Sequence, residues 1–189
     1  VPDELCDNSI KLFEHRLKNE PSAIYTSGDH AFHSLDRKDK STFIDINDPH
    51  IADDYYFDLS RDLGALALHN DLTHYLNAAV REYYEMYESL KSVSIRSNRM
   101  KLQRTVKGGG YHIWHYEAST QATSDRVLVW TIYLNDIEEG GETEIWGGNV
   151  KIKSKAGKLL LFPSCWTFPH RGVMPISDNK YIITGWLYQ

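Results

Sequence analysis

The hydrophobic pattern changes near residue 98. Before that point apolar residues recur at helical spacing; after it they alternate or run in short blocks broken by glycine. A first helix is predicted over residues 3 to 19, opening at Pro2-Asp3 and closing before Pro21. Residues 22 to 60 read as polar and irregular, with Gly28, Pro49, many aspartates and short strand candidates such as Thr42-Phe43-Ile44. Part of Leu59 to Leu68 predicts a second helix. The clearest helix follows Asn70-Asp71, which can cap it. Leu72, Leu76, Ala79, Val80, Tyr83, Tyr87 and Leu90 then share one face, which should lie against a sheet.

From Met100 onward the chain predicts strands: Met100 to Val106, Tyr111 to Glu117, Arg126 to Leu134, Glu142 to Trp146, Val150 to Lys153, Lys158 to Phe162, Trp166 to Arg171 and Tyr181 to Tyr188. Gly108-Gly109-Gly110, Gly140-Gly141 and Gly147-Gly148-Asn149 mark turns between them. Short strands with no helix between them imply an antiparallel barrel or sandwich. The predicted class is α+β, mainly β: N-terminal helices supporting a jelly-roll or cupin-like barrel. Length suits a single domain over 1–189, with 1–98 as helical and irregular support and 99–189 as the core.

Charge narrows the partners. The formal net charge is −5 and no Lys/Arg cluster stands out, which disfavours nucleic acid. Cys6 and Cys165 are the two cysteines; they make neither a disulfide framework nor a CxxC zinc site, which points to a reducing, cytoplasmic setting. No apolar run reaches membrane-spanning length, and the first residues lack the basic-then-apolar order of a signal peptide.

The chemistry concentrates in Tyr111-His112-Ile113-Trp114-His115-Tyr116-Glu117. On a strand, residues two apart share a face, so His115 and Glu117 project together. One imidazole beside one carboxylate is two-thirds of a facial triad for non-haem iron(II). His170, in Phe168-Pro169-His170-Arg171-Gly172, is the best third ligand, from a neighbouring strand. Alone, a His-x-Glu pair is more often not a metal site. The other histidines lack a partner at ligand spacing, and His112 faces away from His115. In the last strand Lys180, Ile182, Thr184 and Trp186 share a face. Were that face interior, a buried Lys180 would need an anion, such as the distal carboxylate of 2-oxoglutarate, with the Thr184 hydroxyl donating to it. On residue type alone, an edge lysine in solvent is the commoner outcome.

As a set, these pieces resemble the prolyl-4-hydroxylase branch of the iron(II)- and 2-oxoglutarate-dependent dioxygenases, over about residues 99 to 188. Gly110-Tyr111 through His115-Tyr116-Glu117 resembles that family's first metal strand, and Arg126 to Asp136 its next core strand. Ile137-Glu138-Glu139-Gly140-Gly141-Glu142-Thr143-Glu144 looks like the hairpin that follows, and Gly157 to Pro163 like the strand before the distal histidine. His170, Gly172, Pro175, Lys180, Thr184 and Trp186 come in the family's order, with Lys180 ten residues after His170.

The resemblance implies a double-stranded β-helix, with Fe(II), 2-oxoglutarate and O2 as cofactor and cosubstrates and ascorbate as an optional addition. It implies oxidative decarboxylation of 2-oxoglutarate coupled to hydroxylation of a C–H bond, with a prolyl residue of a peptide or protein as favoured substrate. A free amino acid or other small metabolite is the alternative; a catalytically idle jelly-roll binder is the alternative of another class. Two departures stand out. Glu117 occupies a place where the family usually has Asp. The tyrosine that the branch commonly places before the first histidine, on the cosubstrate's distal carboxylate, aligns with Thr105, which leaves Gln103 or Tyr111 as substitutes, or Lys180 and Thr184 sufficing. Trp186 belongs to the same cosubstrate group. Trp114 and Trp166 are substrate-groove candidates against the commoner reading of packing. Arg126 resembles a position near the substrate channel, with a surface salt bridge as the equal alternative. Ser27 to Asp54 reads equally as a substrate lid or as an ordinary loop.

Overall fold

A computed structural model describes residues 1–20, 24–26, 54–97, 99–110 and 112–189. Among these, the first helix, α1, spans Asp3–Asn19, with Asp3 and Glu4 in its first turn and Arg16 and Lys18 in its last, as the helix dipole favours. The second, α2, runs Leu66–Met86 without a break at Asn70-Asp71. The expected cap there is therefore wrong. The helical pattern over Leu59 to Leu68 resolves into two short 3₁₀ turns, Leu59–Arg61 and Leu63–Ala65, where the Asp58 and Asp62 side chains accept from Ser60 N and Gly64 N. Those two aspartates satisfy the amides upstream, so the chain enters α2 already turning and Asn70 continues the helix. No helix among the described residues is long and apolar enough to cross a membrane.

The described residues form ten strands: β1 (Tyr25–Thr26), β2 (Asp54–Asp58), β3 (Arg96–Ser97), β4 (Lys101–Thr105), β5 (Arg126–Tyr133), β6 (Thr143–Ile145), β7 (Val150–Ile152), β8 (Leu159–Pro163), β9 (His170–Gly172) and β10 (Lys180–Tyr188). All pairings are antiparallel. The larger sheet has the order β1-β2-β4-β10-β5-β8 with β3 also on β10, and the smaller is β7-β6-β9. Two predicted strands are not regular. Residues 112–117 form no ladder, because their amides bond to two different segments. Trp166 lies in a turn closed by Phe168 N to Cys165 O. Strand β2 lies in a region read as irregular. The candidate strand at Thr42-Phe43-Ile44 and residues 27–53 of the candidate lid lie outside the described residues.

Period-two alternation sorts the larger sheet into two faces. Leu102, Leu128, Trp130, Ile132, Ile183 and Leu187 point outward and pack with Phe13 of α1 and Leu72 and Leu76 of α2, all buried. The opposite face carries Gln103, Thr105, Val129, Thr131, Tyr133, Leu160, Phe162, Lys180, Thr184 and Trp186, and turns toward the smaller sheet. Val129, Ile145 and Phe162 close one end of that interior, and Tyr133 Oη donates to Thr143 Oγ1 across it at 2.7 Å. Two facing antiparallel sheets backed by helices are the double-stranded β-helix that the sequence predicts.

Gly185 shows how tightly the helical side is filled. It pairs with the fully buried Trp130, and an added Cβ would come 2.7 Å from the indole and 2.5 Å from Arg99 O. A glycine at mid-strand lets the indole lie across β10. Gly185→Ala should cost about 1–3 kcal/mol through overpacking. Urea unfolding tests this, and an unchanged midpoint would mean the indole moves aside freely.

Candidate metal centre

His115 and His170 form an antiparallel bridge. Each amide donates to the other's carbonyl, at 3.0 and 2.9 Å, which places both imidazoles on one side with ring centroids 4.3 Å apart. Two residues on, Glu117 N and Ala118 N both donate to Ser164 O at 3.0 Å. Ser164 is itself tied to β5 through Ser164 N to Val127 O. The segment carrying His115 and Glu117 is thus pinned at both ends by different neighbours. His170 starts β9 beside Ile145 of β6, and the Phe162 ring meets it edge-on at 4.8 Å.

These three side chains converge. One donor atom from each of His115, Glu117 and His170 lies within 4.8 Å of the others. Glu117 Oε1 is 3.4 Å from His115 Nε2 and 3.6 Å from His170 Nε2. Metal bonds of about 2.1 Å put adjacent donors about 3 Å apart at a right angle, so the spacing fits one ion with slight contraction. The tautomers fit as well. His115 Nδ1 lies 2.9 Å from Ile113 O, and His170 Nδ1 3.2 Å from Phe168 O. A carbonyl only accepts, so each Nδ1 carries a proton, which leaves Nε2 as the nitrogen that can turn a lone pair to a metal. Burial pushes the Glu117 carboxyl up. Without a metal, hydrogen bonds donated by the His115 and His170 rings outweigh burial and hold it well below the usual carboxylate range. Two imidazoles and one carboxylate on one side of a centre are the donor set of a facial triad.

Arg126 completes the surroundings. Its Nη1 donates to Glu117 Oε2 at 2.8 Å and to Glu117 O at 3.3 Å, while its guanidinium lies 3.9 Å above the Trp186 ring. Sequence reasoning missed this pair. The salt bridge proposed as an alternative for Arg126 exists, yet its partner is the carboxylate of the triad and not a surface acid.

Deeper along the interior, Lys180 is 6% exposed, with Nζ 5.4 Å from the centroid of the Tyr133 ring. This is the interior placement that residue type alone argued against. Thr105, also buried, stands directly across from Lys180 in the β4–β10 register, and Gln103 Nε2 donates to its hydroxyl at 3.4 Å. Burial pushes the neighbouring Tyr133 phenol up to about 12, so it stays a neutral donor to Thr143. Thr184 shares the interior face with Lys180. Its hydroxyl donates to Trp130 O at 2.8 Å, so its one proton is committed within the sheet and the Thr131 hydroxyl, 3.1 Å away, donates to it. Donation to a ligand would require giving up that bond. Trp186 is half-buried under Arg126, and its indole N–H has no hydrogen-bond partner among the described residues. Tyr111 lies outside the described residues.

The remaining tryptophans sit farther out. Trp114 stacks on Arg171, whose guanidinium is 4.8 Å from its centroid; Arg171 in turn bonds Glu144 on the outer face of the smaller sheet. Trp166 is 73% exposed and in a turn. Trp146, with a positive φ of 55°, donates from Nε1 to Thr167 O and lies against Phe168. An apolar cleft of about 470 Å³ runs from Tyr83 and Tyr87 to Trp146, Phe168 and Phe162. Phe162 thus lines both this cleft and the His170 ring.

Residues 100–188 match the family model described as the 2OG-Fe(II) oxygenase superfamily. No curated protein sequence matches the chain. Among the solved structures that share the fold are three prolyl hydroxylases. The prolyl hydroxylase of Trichoplax adhaerens, in complex with a hypoxia-inducible-factor degradation-domain peptide, is 23% identical, with TM-score 0.59, over 71% of this chain and 62% of its own length. The viral collagen prolyl hydroxylase of Paramecium bursaria Chlorella virus-1, a 2-oxoglutarate complex, is 18% identical, with TM-score 0.63, over 99% and 91%. A Pseudomonas putida prolyl-4-hydroxylase is 15% identical, with TM-score 0.63, over 100% and 88%. The chain therefore spans less than two thirds of the Trichoplax protein, and identities this low carry the fold alone. Residues 100–188, just under half of the chain, are similar to the 2OG-Fe(II) oxygenase superfamily, whose chemistry uses Fe(II), 2-oxoglutarate and O2, and the chain is built on the fold that prolyl hydroxylases use.

Proposed function

We propose that this chain hydroxylates a prolyl residue of a peptide or protein, with Fe(II) held by His115 Nε2, Glu117 Oε1 and His170 Nε2. The observation that carries the reading is the convergence of those three atoms, each histidine with its Nδ1 proton already placed on a backbone carbonyl. The same donors suit Zn(II); the superfamily match selects iron. A facial triad leaves three positions for other ligands. Bound iron, 2-oxoglutarate and O2 supply the oxidation, giving succinate, carbon dioxide and one hydroxyl on the substrate.

The chain's own contribution is placement. Lys180, buried on the interior face with Thr105 opposite, takes the distal carboxylate of 2-oxoglutarate, where an ion pair shielded from water gains strength. His115 and Glu117, more open than His170, face the mouth through which a substrate reaches the centre. The apolar cleft beside Phe162 offers a wall for an uncharged peptide. The structures with peptide or collagen specificity named above favour a prolyl substrate over a free amino acid.

Substrate identity is read from succinate. Anaerobic protein is loaded with Fe(II) and 2-oxoglutarate, then air is admitted with a proline-rich peptide, free proline or neither. The peptide should accelerate succinate release by about tenfold or more over the uncoupled rate, while free proline leaves it unchanged. Acceleration by free amino acids alone would transfer the proposal to small-metabolite hydroxylation. No succinate under any condition would leave only a binding protein.

A further inference from the structure

We infer that Arg126 is a positioning residue for the Glu117 carboxylate: its guanidinium holds the outer oxygen, Oε2, and so aims the inner one, Oε1, at the space between the two imidazoles. The inference rests on reading His115, Glu117 and His170 as the metal triad.

The two oxygens of Glu117 are divided between different tasks. Oε2 accepts from Arg126 Nη1 at 2.8 Å, whereas Oε1 sits 3.4 and 3.6 Å from the two Nε2 atoms. The same Nη1 reaches Glu117 O at 3.3 Å, so one nitrogen grips both the backbone and the far end of the side chain. Between those grips lie all the rotatable bonds of the glutamate. A glutamate has one more of these than an aspartate, and unrestrained it would spread its carboxylate over several rotamers. Arg126 is itself immobilised, because its flat cation lies 3.9 Å over the Trp186 indole. Three separate segments thus fix one oxygen: the pinned run at Glu117, the start of β5 and the last strand.

A cation this close draws charge away from the carboxylate, which by itself weakens a metal bond. The gain is geometric. With Oε2 occupied, Glu117 binds through a single oxygen and leaves coordination positions open. Shortening the residue should uncouple the pair. Glu117→Asp withdraws the carboxylate by about 1.5 Å, which stretches the bond to Arg126 past the about 3.5 Å limit.

The test is a four-variant cycle read by Mn(II) affinity, from the electron paramagnetic resonance signal of the free ion, with no turnover involved. Arg126→Leu should weaken Mn(II) binding by about 10- to 100-fold in the natural chain. In a Glu117→Asp background the same substitution should cost no more than about 3-fold. A merely structural or through-space role predicts equal losses in both backgrounds, and that result, or no loss in either, overturns the inference. A thermal melt of each metal-free variant checks folding. If Arg126→Leu does not fold, Arg126→Lys replaces it, with a smaller loss that likewise vanishes beside Asp. Mn(II) affinity as weak in the natural chain as in His170→Ala would strike at the triad itself, a separate failure from that of Arg126.

Discussion

His170→Ala is expected to abolish succinate formation and to lower Fe(II) affinity by well over the about 10- to 100-fold that loss of an outer partner costs. It removes the most enclosed of the three donors, with its side chain 8% exposed. Two ligands from one short segment would remain, and they cannot define a face of an octahedron. The substitution is cleaner than its counterpart at Glu117. Glu117→Ala strands the Arg126 guanidinium beside Trp186 without its carboxylate, so destabilisation would mix with metal loss. His170→Ala leaves a cavity against Phe162, a cost of about 1–3 kcal/mol that a melt measures separately. The anaerobic charge-transfer band with Fe(II) and 2-oxoglutarate is the readout. An intact band in folded His170→Ala would remove His170 from the centre and require another third ligand.

The triad was legible because its parts are local or ordered. His115 and Glu117 are two residues apart, and any extended backbone puts them side by side, even without a regular strand at 112–117. His170 came from its place on a neighbouring predicted strand and from the order of motifs in the resembled family. Arg126 was legible only as a charge. Its partner depends on how residues 118–125 return, through a 3₁₀ turn at Gln121–Thr123 boxed by Thr120 and Thr123, to set Arg126 beside Glu117. No periodicity encodes that closure. Thr184 was placed on the correct face, yet its competing acceptor, Trp130 O, is a backbone atom of a partner strand and carries no mark in the sequence. The strand at Asp54–Asp58 was hidden because its aspartate ends read as loop, whereas its aromatic middle pairs with β4. The start of α2 was misplaced for a related reason: Asn70-Asp71 reads as a cap, whereas Asp58 and Asp62 cap the two turns that lead into the helix.

Lys180→Ala should separate cosubstrate from metal. Lys180 is buried on the interior face, and removing one member of a shielded ion pair costs about 3–5 kcal/mol, which is about 100-fold or more in 2-oxoglutarate affinity. Mn(II) affinity should change by less than about 3-fold, because His115, Glu117 and His170 are held by the bridge to one another, by Ser164, by the Ile113 and Phe168 carbonyls and by Arg126 over Trp186, and Lys180 touches none of these contacts. Titrating 2-oxoglutarate into anaerobic Fe(II) protein reads the first quantity, and paramagnetic resonance the second. Lys180→Arg is the informative companion. It keeps the charge but needs more width beside Tyr133, so it should recover part of the affinity. The alternative anchor is Thr105, whose neutral hydroxyl supplies far less than a cation in a site of low dielectric. Thr105→Val should therefore weaken 2-oxoglutarate by much less than Lys180→Ala. The reverse order, or a parallel fall in Mn(II) and 2-oxoglutarate binding by folded Lys180→Ala, would take the anchoring role away from the lysine.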